Sequence, residues 1–133
     1  GNIFFLAMNL RGYLKWKKIK NKKNIKKMIQ LDSLPQTEVK EGFNARFVHT
    51  ENMTLGYWDV VEGATLPMHS HFHEQVTQVL EGKFELTVGE KTLVYEVGQI
   101  VVIPPNVPHG GKALTDCKLF DIFCPVREDY QIL

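Results

Sequence analysis

After Gln30 this 133-residue chain carries no helical period of useful length. From Phe43 onward, short runs rich in aromatic and β-branched residues alternate with glycine and proline breaks. Phe43–Thr50, Met53–Val61, Gln75–Leu80, Lys83–Val88, Thr92–Val97, Gln99–Ile103 and Leu119–Phe123 read as strands. In Lys83–Val88, Phe84, Leu86 and Val88 fall on one side and Glu85 and Thr87 on the other. Glu81-Gly82, Gly89-Glu90 and Gly98 supply turns, and Pro104, Pro105 and Pro108 stiffen a loop. Many short strands with regular turns bury a core as a β-sandwich or a barrel. The length fits one such domain.

Between Gly63 and Gly82 lies the densest chemistry of the chain. His69, His71 and His73 fall within five positions, beside Glu74 and Gln75, and the whole protein has only five histidines. In extended chain alternate residues share a side, so His69 and His71 can aim their imidazoles at one point. Imidazole suits zinc, nickel, copper and iron. The plain alternative is a histidine-rich surface loop or tag. The mid-chain position, between a glycine turn and a strand-like run, argues against a tag.

The formal charge of +1 hides a split. Nine of the 16 basic residues lie in 1–27, without one acid, which leaves seven against 15 acids in 28–133 and a net charge of about −8 there. The boundary separates a basic extension, 1–30, from a single domain, 31–133. Leu10, Leu14, Trp16, Ile19, Ile25, Met28 and Ile29 give that extension an irregular helical pattern. It reads as a basic arm, as a helix packing on a neighbouring subunit, or as a mis-assigned start with Met28 the natural first residue. The third reading is favoured because the charge changes at Met28. Gly1 reads as a remnant of tag removal. An acidic body and no helix-turn-helix pattern argue against nucleic acid as partner.

The apolar run Ile3–Met8 is far shorter than the roughly 20 residues a membrane span needs. It also precedes the positive charges, the reverse of a secretory signal, so a cytoplasmic protein with no membrane partner is expected. Cys117 and Cys124 form no disulfide framework and read as reduced thiols.

His109 follows Ile-Pro-Pro-Asn-Val-Pro. Alone it reads as a surface-loop histidine. Together, Gly63, His69, His71, Gln75 and Gly82, then Gly98, Pro104 and His109, make two motifs whose spacing resembles the cupin superfamily over residues 43–124. The resemblance implies an all-β cupin jelly-roll (double-stranded β-helix) barrel with one divalent metal ion inside, held by His69, His71, Gln75 and His109. Three positions depart from the pattern: Gln75 replaces the usual Glu, Asn106 a Gly, and Ala113 an Asn. Glu74 is a rival ligand, but on a strand it points away from Gln75. His73 is expected at the pocket rim. Three imidazoles and an amide leave the ion's double charge uncompensated, so the centre should draw anionic oxygen and act as a Lewis acid. Zinc or nickel then suit it best, with iron or manganese behind.

The C-terminal run Phe-Asp-Ile-Phe-Cys-Pro-Val-Arg puts Asp121 and Phe123 on one face of a strand, with Arg127 just beyond. A carboxylate in so apolar a strand is costly unless paired or used. Arg127 or Arg46 is the partner a purely structural role would need. His-Ser-His-Phe-His-Glu-Gln, the Pro-Pro-Asn loop and the Asp121, Phe123, Arg127 spacing are similar to KdgF-type cupins of pectin and alginate breakdown. That resemblance implies opening of 4,5-unsaturated uronates to linear 4-deoxy-5-keto uronates. Asp121 would transfer the proton, Arg127 would clamp the substrate carboxylate and Phe123 would wall the sugar pocket. It implies a small anionic sugar-acid substrate and a homodimer. The competing readings are another metal-dependent cupin, a dioxygenase or sugar isomerase, and a non-catalytic small-molecule-binding cupin.

Overall fold

The computed structural model describes residues 9–15, 17 and 28–133. The chain divides into two compact units, Gly1–Gln30 and Leu31–Leu133. In the first, residues 10–15 and 17 are helical. Trp16, Ile19, Ile25 and the Ile3–Met8 run lie outside the described residues. Among the described residues no helix is long and apolar enough to cross a membrane.

The second unit opens with a 3-10 turn, Leu31–Ser33, and continues as ten strands. These are β1 (Thr37–Lys40), β2 (Phe43–His49), β3 (Thr54–Val60), β4 (Thr65–His69), β5 (Glu74–Glu81), β6 (Phe84–Val88), β7 (Lys91–Tyr95), β8 (Ile100–Ile103), β9 (His109–Ala113) and β10 (Cys117–Cys124). A one-turn helix, α1 (Glu128–Gln131), follows. The strands form a six-stranded sheet, β1-β2-β3-β10-β5-β8, and a four-stranded sheet, β4-β9-β6-β7, with antiparallel neighbours throughout. This is the jelly roll expected from the sequence.

β1, β4, β9 and α1 add to the elements expected. Each of the three strands is short or carries residues that strands disfavour: charges in β1, Pro67 in β4, and Gly110 and Gly111 in β9. Their pairing comes from neighbours rather than from propensity. Asn106 stands where the cupin pattern has glycine and takes φ 65°, which asparagine tolerates.

The core lies between the sheets, on Phe43, Ala45, Trp58, Val60, Val79, Phe84, Leu86 and Leu119 among others. Period-two burial on β3, β5 and β10 decides what faces inward. The register then sorts the inward residues into rows. Val79, Leu119 and Trp58 stand side by side in one row. Thr77, Asp121 and Gly56 form the next, and Gln75, Phe123 and Thr54 the one beyond. The interior thus grades from an apolar floor to a polar mouth.

β4 and β9 carry the other half of that mouth. His69 pairs with His109 across an irregular register. Gly110 permits the close approach: a methyl group there would lie 2.7 Å from the Leu66 carbonyl oxygen and 2.9 Å from the Met68 nitrogen. Gly110→Ala is therefore expected to push β9 off β4, costing about 1–3 kcal/mol of stability and loosening metal binding. A denaturant titration alongside a metal titration checks both.

Candidate metal centre

Three imidazoles converge at the mouth. His69 ends β4, His71 sits in the loop before β5, and His109 starts β9. Their ring centroids lie 4.3 Å (His69–His109), 4.9 Å (His71–His109) and 5.9 Å (His69–His71) apart. One ring nitrogen from each falls within 4.8 Å of the other two. Among the described residues this is the one group of three or more His, Cys, Asp or Glu side chains so placed.

Backbone carbonyls choose the tautomers. His69 Nδ1 faces the Pro67 carbonyl at 2.9 Å, His109 Nδ1 faces Val107 at 2.9 Å, and His71 Nδ1 faces His73 at 3.1 Å. Each Nδ1–H donates to its carbonyl, which leaves every Nε2 as a bare lone pair. His109 Nε2 is buried with no hydrogen-bond partner. Burial, then the nearby charge of Arg127, holds the His71 pKa down at about 4. Burial also lowers that of His109, with His69 and Arg127 adding to it. Both rings are thus neutral near pH 7, the form that binds a metal.

Gln75 lies beside the three imidazoles. Its Oε1 lies 3.0 Å from His71 Nε2. The His73 carbonyl and Gln75 Oε1 both only accept, and a neutral His71 has one N–H, so with that proton on Nδ1 two lone-pair atoms face each other at Nε2 and Oε1. A cation shared between them removes that repulsion. The orphaned His109 nitrogen and this facing pair fit a divalent metal, and His69, His71 and His109 can hold one.

Asp121 lies one row deeper and is 7% exposed. The arginine partners considered from sequence are engaged elsewhere: Arg46 with Asp59, and Arg127 with Asp129. Instead the Thr77 hydroxyl donates to Asp121 Oδ1 at 2.5 Å. Burial pushes the Asp121 pKa up to about 6, against the opposing pull of Thr77, Trp58, Gln75 and the Arg127 charge. Gly56, opposite Asp121, leaves space that the Trp58 indole nitrogen turns into: a methyl group there would lie 2.9 Å from Nε1.

Arg127 is buried and shares the cavity with Asp121, His69, His109 and Gln75. Its Nε and Nη2 donate to the two Asp129 oxygens at 2.9 and 2.7 Å. Its guanidinium lies over Tyr130 at 3.9 Å and over Phe123 at 4.8 Å. Its backbone N–H donates to Thr54 Oγ1 at 2.8 Å, which ties the C-terminal turn to β3. Phe123 is 2% exposed and meets the edge of His71. The enclosed part of the cavity is about 80 Å³, and it opens to solvent at its mouth.

Two neighbours sit differently from the ligands. Glu74 is exposed on the outer side of β5 while Gln75 is buried. His73 is not at the rim: it is 6% exposed and stacks on Phe72 at 4.0 Å, behind His71. Thr77, Trp58 and Tyr130 also belong to the site and were not singled out from sequence. Thr77 was legible, because it shares the Gln75 face of β5 two residues on. Tyr130 reaches the site only because α1 turns back over Arg127.

Comparison with known proteins agrees with this architecture. The chain is similar to an RmlC-like cupin from Shewanella frigidimarina, with a TM-score of 0.75 at 26% identity over 79% of this chain and 96% of that one. It is similar to KdgF from a Halomonas species, with a TM-score of 0.75 at 25% identity over 79% and 98%. An uncharacterized protein of Streptomyces coelicolor is 27% identical over 101 residues, 74% of this chain and 96% of the relative. The cupin domain model matches residues 56–123, half of the chain, and the chain belongs to that family.

Proposed function

We propose that this cupin is a metal-dependent, non-redox enzyme that opens 4,5-unsaturated uronates to linear 4-deoxy-5-keto uronates. One observation carries the reading. A buried carboxyl group with its pKa near 6, Asp121, stands one row below the ligand Gln75 and in the cavity that Arg127 lines. Near neutral pH such a group can both give and take a proton.

The residues divide the work as follows. The Arg127 N–H groups not engaged by Asp129 meet the substrate carboxylate, and Phe123 and Tyr130 keep the guanidinium flat. Asp121 delivers its proton to C4 of the enol ether. Water adds its oxygen at C5, and the proton it loses returns to Asp121. The hemiketal then collapses: the C5–ring-oxygen bond breaks, C5 becomes a ketone, and the ring oxygen stays on C1 as a hydrated aldehyde. A bound divalent ion would supply Lewis acidity toward substrate oxygens.

The test is turnover of lyase-generated unsaturated galacturonate, followed by loss of its ultraviolet absorbance, with and without chelator. Chelator-sensitive loss above the spontaneous rate supports the reading. No acceleration by protein with metal bound rejects it. The proton-donating form of Asp121 exists below its pKa. On this mechanism kcat/KM is therefore expected to fall about tenfold per pH unit on the alkaline side of pH 6, and a pH–rate profile checks it.

One observation favours a second reading. The cavity floor is apolar, lined by Phe43, Trp58, Leu66, Phe84, Leu86 and Leu119. That floor suits a diketone or flavonol-like substrate of an oxidative cupin. Iron-dependent oxygen consumption would mark it.

A further inference from the structure

We infer that Thr77 decides which atom of the Gln75 amide faces the metal. The inference rests on the metal centre and is independent of the uronate reading.

Glutamine is an ambiguous ligand. Its carbonyl oxygen accepts and its NH₂ group donates, and the two are nearly the same size. Only the oxygen can hold a cation. Turned over, the amide would aim two N–H groups at the ion.

The hydrogen bonds in the second row remove the ambiguity. Asp121 Oδ1 accepts, and the Thr77 hydroxyl gives it its single proton at 2.5 Å. Toward Gln75, Thr77 then has lone pairs alone. It accepts from Gln75 Nε2 at 2.9 Å, which turns Oε1 toward His71 Nε2 at 3.0 Å. The chain runs one way: Gln75 to Thr77 to Asp121.

Register and burial keep it so. Thr77 pairs with Asp121 across the β5–β10 ladder, and Gln75 follows on the same face. Gln75, Thr77 and Asp121 are 8%, 7% and 7% exposed, which leaves little room for water to exchange roles with the hydroxyl. The device is needed only because the ligand is an amide. A carboxylate at this position offers an oxygen in either orientation.

The test uses the full chain and cobalt(II), whose visible absorbance reports coordination. Thr77→Val is expected to weaken cobalt(II) affinity about 10–100-fold, the usual cost of losing a group that orients a ligand. Thr77→Ser is expected to bind as the parent does. In the Gln75→Glu background the effect of Thr77→Val is expected to shrink toward nothing. Undiminished binding by Thr77→Val would overturn the proposal, as would an equal loss in both backgrounds, the mark of a merely structural role. Should Thr77→Val not fold, proton NMR of the ¹⁵N-glutamine-labelled parent decides. Contacts from the Gln75 Nε2 protons to the Thr77 methyl group are expected. Contacts to the imidazoles in their place would overturn the proposal.

Discussion

Asp121→Asn is expected to lower kcat about 10²–10⁴-fold with stoichiometric metal still bound, the usual range for loss of a positioned proton donor. Asparagine has nearly the shape of aspartate and can still accept from Thr77, so the second row should stay in place. It has no carboxyl proton to give. Burial raises the Asp121 pKa to about 6 against hydrogen bonds from Thr77, Trp58 and Gln75 and the Arg127 charge, and no other carboxyl group among the cavity residues shares that setting. Steady-state kinetics beside metal analysis check the expectation. Full activity in Asp121→Asn would remove it as the proton carrier and with it the proposed route.

Removal of the metal should have the other large effect. With metal at about a thousand times its dissociation constant, binding stabilises the fold by about 4 kcal/mol. For a domain of this size that is a fall in Tm of about 10 °C or more on chelation. The orphaned Nε2 of His109 is one source, since a buried polar atom without a partner costs about 1–3 kcal/mol. His109→Ala is expected to abolish the difference between metal-loaded and chelated protein and to reduce turnover to the spontaneous rate. Calorimetry with and without chelator measures it. A Tm that still responds to metal in His109→Ala would show that the ion sits elsewhere.

The cluster of three imidazoles that could hold a metal was legible because metal chemistry demands particular residue types at particular spacings. His69, His71 and His109 carry that signature on their own, and the glycines around them mark the turns that bring distant segments together. Gln75 could be separated from Glu74 by strand parity alone, and the structure shows Gln75 buried and Glu74 exposed. β4 and β9 were not legible as strands. Pro67, Gly110 and Gly111 contradict strand propensity, and close approach to a neighbour, which no local pattern records, is what Gly110 serves.

Partnership is where local pattern fails. Asp121 looks like a charge that needs an arginine, and two arginines were at hand in the sequence. Hydrogen-bond geometry instead gives it a hydroxyl 44 residues away. Arg127 looks free, yet Asp129 and Tyr130 hold it once α1 turns back. Alternation, turn residues and histidine spacing are properties of short stretches of chain, and from them follow the jelly roll, the inward faces and the imidazoles available to a metal. Which tautomer each histidine adopts, which way the Gln75 amide points and how strongly Asp121 holds its proton depend on carbonyls, hydroxyls and burial contributed by other strands. Those quantities exist only when the β3–β10–β5 ladder is in register, because hydrogen bonding and desolvation act over a few ångströms and the chain alone does not say which atoms will be that close.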